Sequence, residues 1–181
     1  MAKNKYSRDY RLIEEFNERG RVRTDYEYIG NPWHFLVDSS IVEEEKRKAL
    51  RCVIFAGAAF IAALIPYSGM MHRLWIALPF AFMALPLFMT GDLVFALQQF
   101  KEPMEHRHAD KLNNSYPART LGLVYLAFIA LLGETVYLIL YGITVPGDAV
   151  MAFCTAVIAA CGAVLFRKRK AFKAEEEKKA G

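Results

Sequence analysis

Two carboxylates lie inside long apolar stretches of this 181-residue chain, where an ionisable side chain is costly. Glu134 is the one charged residue in the run 120–141, and Asp92 is the one charged residue in the run 74–97. Carboxylates in such places form polar contacts between helices or serve as steps on a proton or cation path. Both are therefore candidate functional residues.

Neighbours at helical spacing indicate what the Glu134 side chain faces. Ala127 and Ala130 share its helical face on one side, and Tyr137 and Tyr141 share it on the other. Small residues and phenols in this pattern are typical of an interior face. We therefore predict that a protonated Glu134 carboxyl hydrogen-bonds Tyr137.

Asp92 shares a helical face with Leu85, Phe88 and Gln99, a bulkier setting nearer the end of its apolar run. At about 1.5 Å per residue, the depths of the two carboxylates differ by about 10 Å. Asp92 and Glu134 should therefore not touch unless the helix that carries Asp92 is broken. Gln99 is a further candidate polar residue on this face.

The run 74–97 also contains Pro79, Pro86 and Gly91. A proline inside a helix removes a hydrogen bond and clashes with the preceding turn, so kinks are expected near these positions. If the protein is a transporter, the kinked helix is the part that moves. If it is not, the kinks have a structural role only.

The segment between the second and third apolar runs contains His106, His108 and Asp110 at a spacing of two. These side chains could present metal ligands if the backbone were extended there. No cysteine and no second cluster accompany them, so a solvated loop is the alternative interpretation. The sequence gives no other metal or cofactor signal.

Apolar residues are segregated into four blocks, which predicts an all-α integral membrane protein with a four-helix transmembrane bundle made of two hairpins. Roughly 20 apolar residues are enough to cross a hydrocarbon core of about 30 Å. The bundle is expected over residues 41–166, with spans at about 49–69, 74–97, 120–141 and 149–166.

Lys and Arg residues are distributed unevenly around these spans. Of the 23 cations, one lies in the segment 66–73 and none lies in 142–148. The positive-inside rule therefore places these two loops outside and both termini in the cytosol of a multi-pass cell-membrane protein.

Residues 1–40 form a cytosolic segment in which alternating polar and apolar residues predict a β-hairpin over 10–28, with a turn at Asn17–Gly20. Trp33 and Phe35 suit either the membrane interface or a small packed cluster. A capping box at Ser40 and Glu43 predicts the start of a helix that continues into the first span. Residues 167–181 are expected to be a charged cytosolic tail.

Small residues are frequent in the first and fourth spans. In the fourth span four alanines lie on one helical face, which favours close helix packing within the chain or against another one; they are Ala152, Ala156, Ala159 and Ala163.

The function expected from these patterns is a non-enzymatic assembly or accessory subunit of a membrane complex. The alternative is a proton- or cation-linked small-molecule transporter or channel that uses Glu134 and Asp92. Catalytic motifs of the G-x-S-x-G, H-E-x-x-H, P-loop and C-x-x-C types do not occur in the sequence. Beside the lipid bilayer, the expected partners are further copies of the chain or another membrane protein, and no nucleic acid.

Overall fold

The computed structural model describes residues 9–16 and 22–177, and it is mainly helical. Its four strands are β1 (Tyr10–Phe16), β2 (Val22–Tyr28), β3 (Trp33–Phe35) and β4 (Ala174–Glu176). Its helices are α1 (Ser39–Leu64), α2 (Leu74–Leu97), α3 (His106–Asp110), α4 (Tyr116–Tyr141) and α5 (Pro146–Arg167). A π-helical turn at Lys111–Ser115 joins α3 to α4 without a break.

The four long helices form an up-and-down bundle. Helices α2 and α5 each pack against both α1 and α4. One end of the bundle carries the start of α1, the end of α5 and the segment between α2 and α4, and we call it the termini end. The opposite end carries the connections 65–73 and 142–145, and we call it the loop end.

Three helical segments are long and apolar enough to cross a membrane, as in a multi-pass membrane protein; they are Leu74–Leu97, His106–Tyr141 and Pro146–Lys170. The fourth long helix, α1, falls short because its uncharged stretch begins only after Arg51 and its helix ends at Leu64. The predicted extension of this helix to residue 69 is not found, because Pro66 has no backbone N–H with which to continue the helical hydrogen bonds beyond Leu64.

Helix α1 begins one residue before the predicted cap. Asp38 is the N-cap, and its side chain accepts a hydrogen bond from the Ser40 backbone N–H at 3.2 Å. An Asp in this position satisfies one of the free N–H groups of the first turn. The expectation that the helix continues unbroken into the first apolar run is confirmed.

The close approach expected of the first and fourth apolar runs occurs within the chain, because α1 packs along α5. The free cysteines Cys52 and Cys161 are half-buried neighbours across this contact. The alanine face of α5 is used only in part, since Ala156 and Ala163 are exposed.

The predicted hairpin is confirmed: β1 and β2 pair antiparallel, with Tyr10 opposite Tyr28 and Phe16 opposite Val22. The predicted turn at Asn17–Gly20 lies outside the described residues. The open end of the hairpin docks on the segment before α4, where the Tyr10 hydroxyl donates to Glu105 at 2.6 Å. Burial and this hydrogen bond raise the pKa of Tyr10 to about 12, so its phenol remains a donor at neutral pH.

The C-terminal tail is not a featureless charged segment, because β4 pairs antiparallel with β3. On the other side of β3, Trp33 pairs with Met104. Strand β3, strand β4 and the segment between α2 and α3 therefore meet at the termini end. Trp33 and Phe35 pack there against a buried cluster of the bundle that includes Phe172, and not within the N-terminal segment alone.

Lys46 lies in a run of charged residues near the start of α1, where charged side chains are expected to face water, but it is buried. Its side chain is only 3% exposed, and its ammonium group donates to Glu43 at 2.6 Å and to the carbonyl of Phe100 at 2.8 Å. The preceding residue, Glu45, binds Lys168, whose ammonium group holds the pKa of that carboxyl below its usual range. These bonds tie α1 to the ends of α2 and α5.

Candidate functional site

Glu134 lies in the interior of the bundle, with 1% of its surface exposed. Ala127, Ala130 and Tyr137 on the same face of α4 are buried with it, whereas Tyr141 is exposed. The Glu134 carboxyl accepts a hydrogen bond at Oε1 from the Thr155 hydroxyl of α5 at 2.7 Å.

The partner predicted for Glu134 differs from the one in the structure. The Tyr137 hydroxyl lies 3.2 Å from the Thr144 hydroxyl, at the loop end. Among the described residues, Glu134 Oε2 and Thr90 Oγ1 are the two buried side-chain polar atoms without a hydrogen-bond partner. Glu134 therefore joins α4 to α5 through one oxygen and leaves the other in an apolar setting.

Asp92 lies on the surface, with 74% of its side chain exposed, and its carboxylate is 4.0 Å from the Arg119 guanidinium of α4. Arg119 also donates to the carbonyl of Met89 at 2.8 Å. Along α4, Glu134 is about 22 Å beyond Arg119 at about 1.5 Å per residue. The structure thus separates the two carboxylates by more than the expected 10 Å and does not bring them into one site.

The other residues singled out on α2 have different environments. Gln99 is exposed just beyond the helix. Pro79 and Pro86 both lie inside the continuous helix Leu74–Leu97. Gly91 is buried where α1 crosses, and a Cβ there would lie 3.4 Å from Val53 Cγ1, so its small size permits the close contact of the two helices.

The possible metal ligands do not have the extended backbone that they require. His106, His108 and Asp110 lie within the helix α3, where residues two apart point to different sides. The His106 ring stacks on Trp33 and lies 2.8 Å from the Asp9 carboxylate, while His108 stacks on Phe100. Across 9–16 and 22–177, no three potential ligands come together in a metal-binding arrangement.

The most extensive polar network is centred on Asp148, which is fully buried at the loop end. Oδ1 accepts hydrogen bonds from the Ser68 hydroxyl at 2.8 Å and the Gly69 N–H at 2.9 Å. Oδ2 accepts from the Thr144 hydroxyl at 2.6 Å, from its N–H at 3.0 Å and from the Val145 N–H at 3.2 Å. One carboxylate thus joins the α1–α2 connection to the start of α5.

Two glycines allow the connections to approach this closely. A Cβ on Gly147 would lie 1.9 Å from the carbonyl oxygen of Tyr67, and a Cβ on Gly69 would lie 2.7 Å from the Tyr137 hydroxyl. This network was not predicted from the apolar pattern, because Asp148 falls in the predicted loop 142–148. Its signal was Pro146 at the first helical position followed by Asp148 at the third, where a carboxylate accepts hydrogen bonds from free N–H groups.

A groove of about 540 Å³ lies between α1 and α2, along residues 53–61 of α1 and 84–95 of α2. Its walls are apolar, with Phe88, Phe95 and Ile61 largely exposed. Gly57 contributes open space, since a Cβ there would meet nothing within 4 Å. Asp92 also lines the groove, so an apolar surface carries one exposed carboxylate.

Comparison with known proteins yields no match to a family model, a curated protein or a solved structure, so the geometry above is the basis for a functional assignment.

Proposed function

We propose that the protein is a non-enzymatic accessory subunit of a membrane complex, and that it binds a transmembrane helix of a different chain in the groove between α1 and α2. The observation that carries this proposal is the groove itself. It is concave, Gly57 leaves open space in it, and its lining includes an exposed carboxylate, whereas an ordinary lipid-facing helix surface is convex and apolar.

Four membrane crossings follow if α1 is counted with the three long apolar helices. The first turns of α1 pack with Phe100 at the termini end, while the chain beyond Leu64 is bound by Asp148 at the loop end. A helix that runs between these two ends accompanies α2, α4 and α5 across the bilayer. Its short uncharged stretch is accommodated by local thinning of the bilayer or by a neighbouring helix.

The cation distribution orients this bundle with the termini end in the cytosol. Arg51 directly precedes the uncharged stretch of α1, and Arg119 and Arg167 lie near the ends of α4 and α5 at this end, whereas the 142–145 connection contains no cation. Because cytosolic loops carry the excess of Lys and Arg, both termini and the docked hairpin are cytosolic in this proposal.

Charge complementarity specifies the occupant of the groove. A membrane helix carries Lys or Arg at its cytosolic end, and Asp92 presents a carboxylate at that level of the groove. The Arg119 guanidinium lies 4.0 Å from the Asp92 carboxylate, which is a long distance for an ion pair, and most of the Asp92 side chain stays exposed. A partner helix therefore gains apolar contact along α1 and α2 and an ion pair at its cytosolic end.

The transport alternative has less support from the geometry. A proton or cation path requires polar groups in series, whereas Glu134 is enclosed by packed side chains and bonded to Thr155. Asp92 lies on the outside of the bundle and shares no site with it.

Substitution of Gly57 tests the groove. Gly57→Leu places a side chain in the open space and should abolish binding of the partner without unfolding the chain, and Asp92→Asn should weaken binding. Ala58→Leu is the matched control, because Ala58 is exposed on the same helix and does not line the groove. The measurement is native mass spectrometry of each tagged variant, purified from its own host in mild detergent.

The expected result is a second chain with a basic residue at the cytosolic end of its helix, retained by wild type and Ala58→Leu and lost by Gly57→Leu. A homo-oligomer alone, or bound lipid alone, would contradict the choice of partner. Equal retention of the second chain by Gly57→Leu would show that it binds elsewhere.

A further inference from the structure

A small cavity at the termini end is separate from the α1–α2 groove and lies where α4 begins and α5 ends. It has a volume of about 180 Å³. Its lining combines three cations with an amide and two apolar residues: Arg169, Lys170, Lys173, Asn113, Leu112 and Pro117.

The four consecutive cations at the end of α5, residues 167–170, form a basic collar, and in the described part of the chain Lys168 is the one that makes an ion pair within the bundle. Lys168 turns inward to Glu45, whereas Arg169 and Lys170 face the cavity. Lys173 is 3.8 Å from the Glu175 carboxylate, and both of these side chains are mostly exposed. With that carboxylate counted, the cavity keeps an excess of positive charge.

The cavity is built on fixed elements. The Asn113 amide donates to the carbonyl of Ala174 at 2.9 Å, and its oxygen accepts from the Ala174 N–H at 3.0 Å, so β4 is held beside the start of α4. The Arg169 guanidinium lies 3.8 Å from the centre of the Phe166 ring. This contact holds the guanidinium group at the level of the last apolar residues of α5.

We propose that this cavity binds the phosphate group of an anionic phospholipid. Arg169 and Lys170 supply the charge-assisted donors that a phosphate oxygen accepts, and the planar guanidinium group suits bidentate contact. Leu112 and Pro117 form an apolar floor beneath the headgroup. Basic pockets between membrane helices at the cytosolic surface bind anionic headgroups in this way. The site requires a membrane location but not the partner helix.

The test is a native mass spectrometric titration of the delipidated full-length chain with dioleoyl phosphatidic acid. Wild type should bind one lipid tightly, and Arg169→Gln/Lys170→Gln should weaken that binding by about tenfold or more. Arg47→Gln/Arg51→Gln is the matched control, since it removes the same charge from exposed positions on α1 and should change the affinity less than about twofold.

If both double variants weakened lipid binding equally, the proposed site would be overturned. The lipid would then be held only by general attraction to the cations at this end of the bundle. Dioleoyl phosphatidylcholine is the second ligand, and binding as tight as that of phosphatidic acid would overturn the preference for an anionic lipid. Inorganic phosphate separates the two sources of the phosphate group: displacement of the lipid at millimolar concentration would assign the cavity to a free phosphate ion.

Discussion

Replacement of Asp148 by alanine is expected to be the most destabilising single substitution among the buried polar residues. It removes both acceptor oxygens from five donors on Ser68, Gly69, Thr144 and Val145. A hydrogen bond to a charged group contributes about 1.5–3 kcal/mol, and donors left buried without a partner cost more. We therefore expect the free energy of unfolding to fall by more than about 3 kcal/mol.

Unfolding of the purified protein in mixed detergent micelles, followed by circular dichroism, measures this loss. Asp148→Asn keeps one oxygen and should fall between wild type and alanine. Asp92→Ala is the matched control, since it removes an exposed carboxylate and should change the free energy of unfolding by less than about 0.5 kcal/mol. If Asp148→Ala were no worse than Asp92→Ala, the network would not join the two connections.

Glu134 should tolerate glutamine far better than alanine. Alanine leaves the Thr155 hydroxyl without its acceptor and creates a cavity in the buried face of α4, at an expected cost of about 2–4 kcal/mol. Glutamine fills the same volume and supplies a carbonyl oxygen to Thr155. It also removes a carboxyl group that faces no cation among the described residues, so its cost should stay below about 1 kcal/mol.

A double-mutant cycle of Glu134→Ala with the isosteric Thr155→Val isolates the bond, with an expected coupling of about 1 kcal/mol. A Glu134→Gln variant as unstable as Glu134→Ala would mean that the carboxyl group itself is required. A stable Glu134→Gln that abolished proton flux in proteoliposomes would favour the transport function over the accessory one.

Apolar segregation and helical spacing predicted the helices well, because a membrane helix satisfies its own backbone and its position depends mainly on local composition. The buried environment of Ala127, Ala130 and Glu134 has the same origin, since residues three, four and seven apart share a face. The hairpin was likewise readable from local alternation between Tyr10 and Tyr28.

Contacts between distant segments were not readable in this way. Pairing of β3 with β4 joins residues at opposite ends of the chain, and the Asp148 network joins two loops whose proximity depends on the packing of the bundle. Lys46 belongs to the same class, because its burial depends on where α2 ends. The end of α1 at Leu64 was missed because composition alone does not register that Pro66 lacks the N–H needed to continue a helix.

Membrane topology is the claim on which the accessory function and the lipid site both depend. It can be measured with single cysteines in a chain whose Cys52, Cys154 and Cys161 are replaced, labelled on intact cells with an impermeant maleimide. The four labelling positions are exposed in the structure: Tyr67 and Ile143 at the loop end, and Leu36 and Lys101 at the termini end.

Four crossings predict labelling of Tyr67→Cys and Ile143→Cys on intact cells, and of Leu36→Cys and Lys101→Cys only after permeabilisation. Labelling of both Leu36→Cys and Tyr67→Cys on intact cells would show that α1 does not cross the bilayer. Labelling of Lys101→Cys together with protection of Ile143→Cys would contradict the proposed orientation.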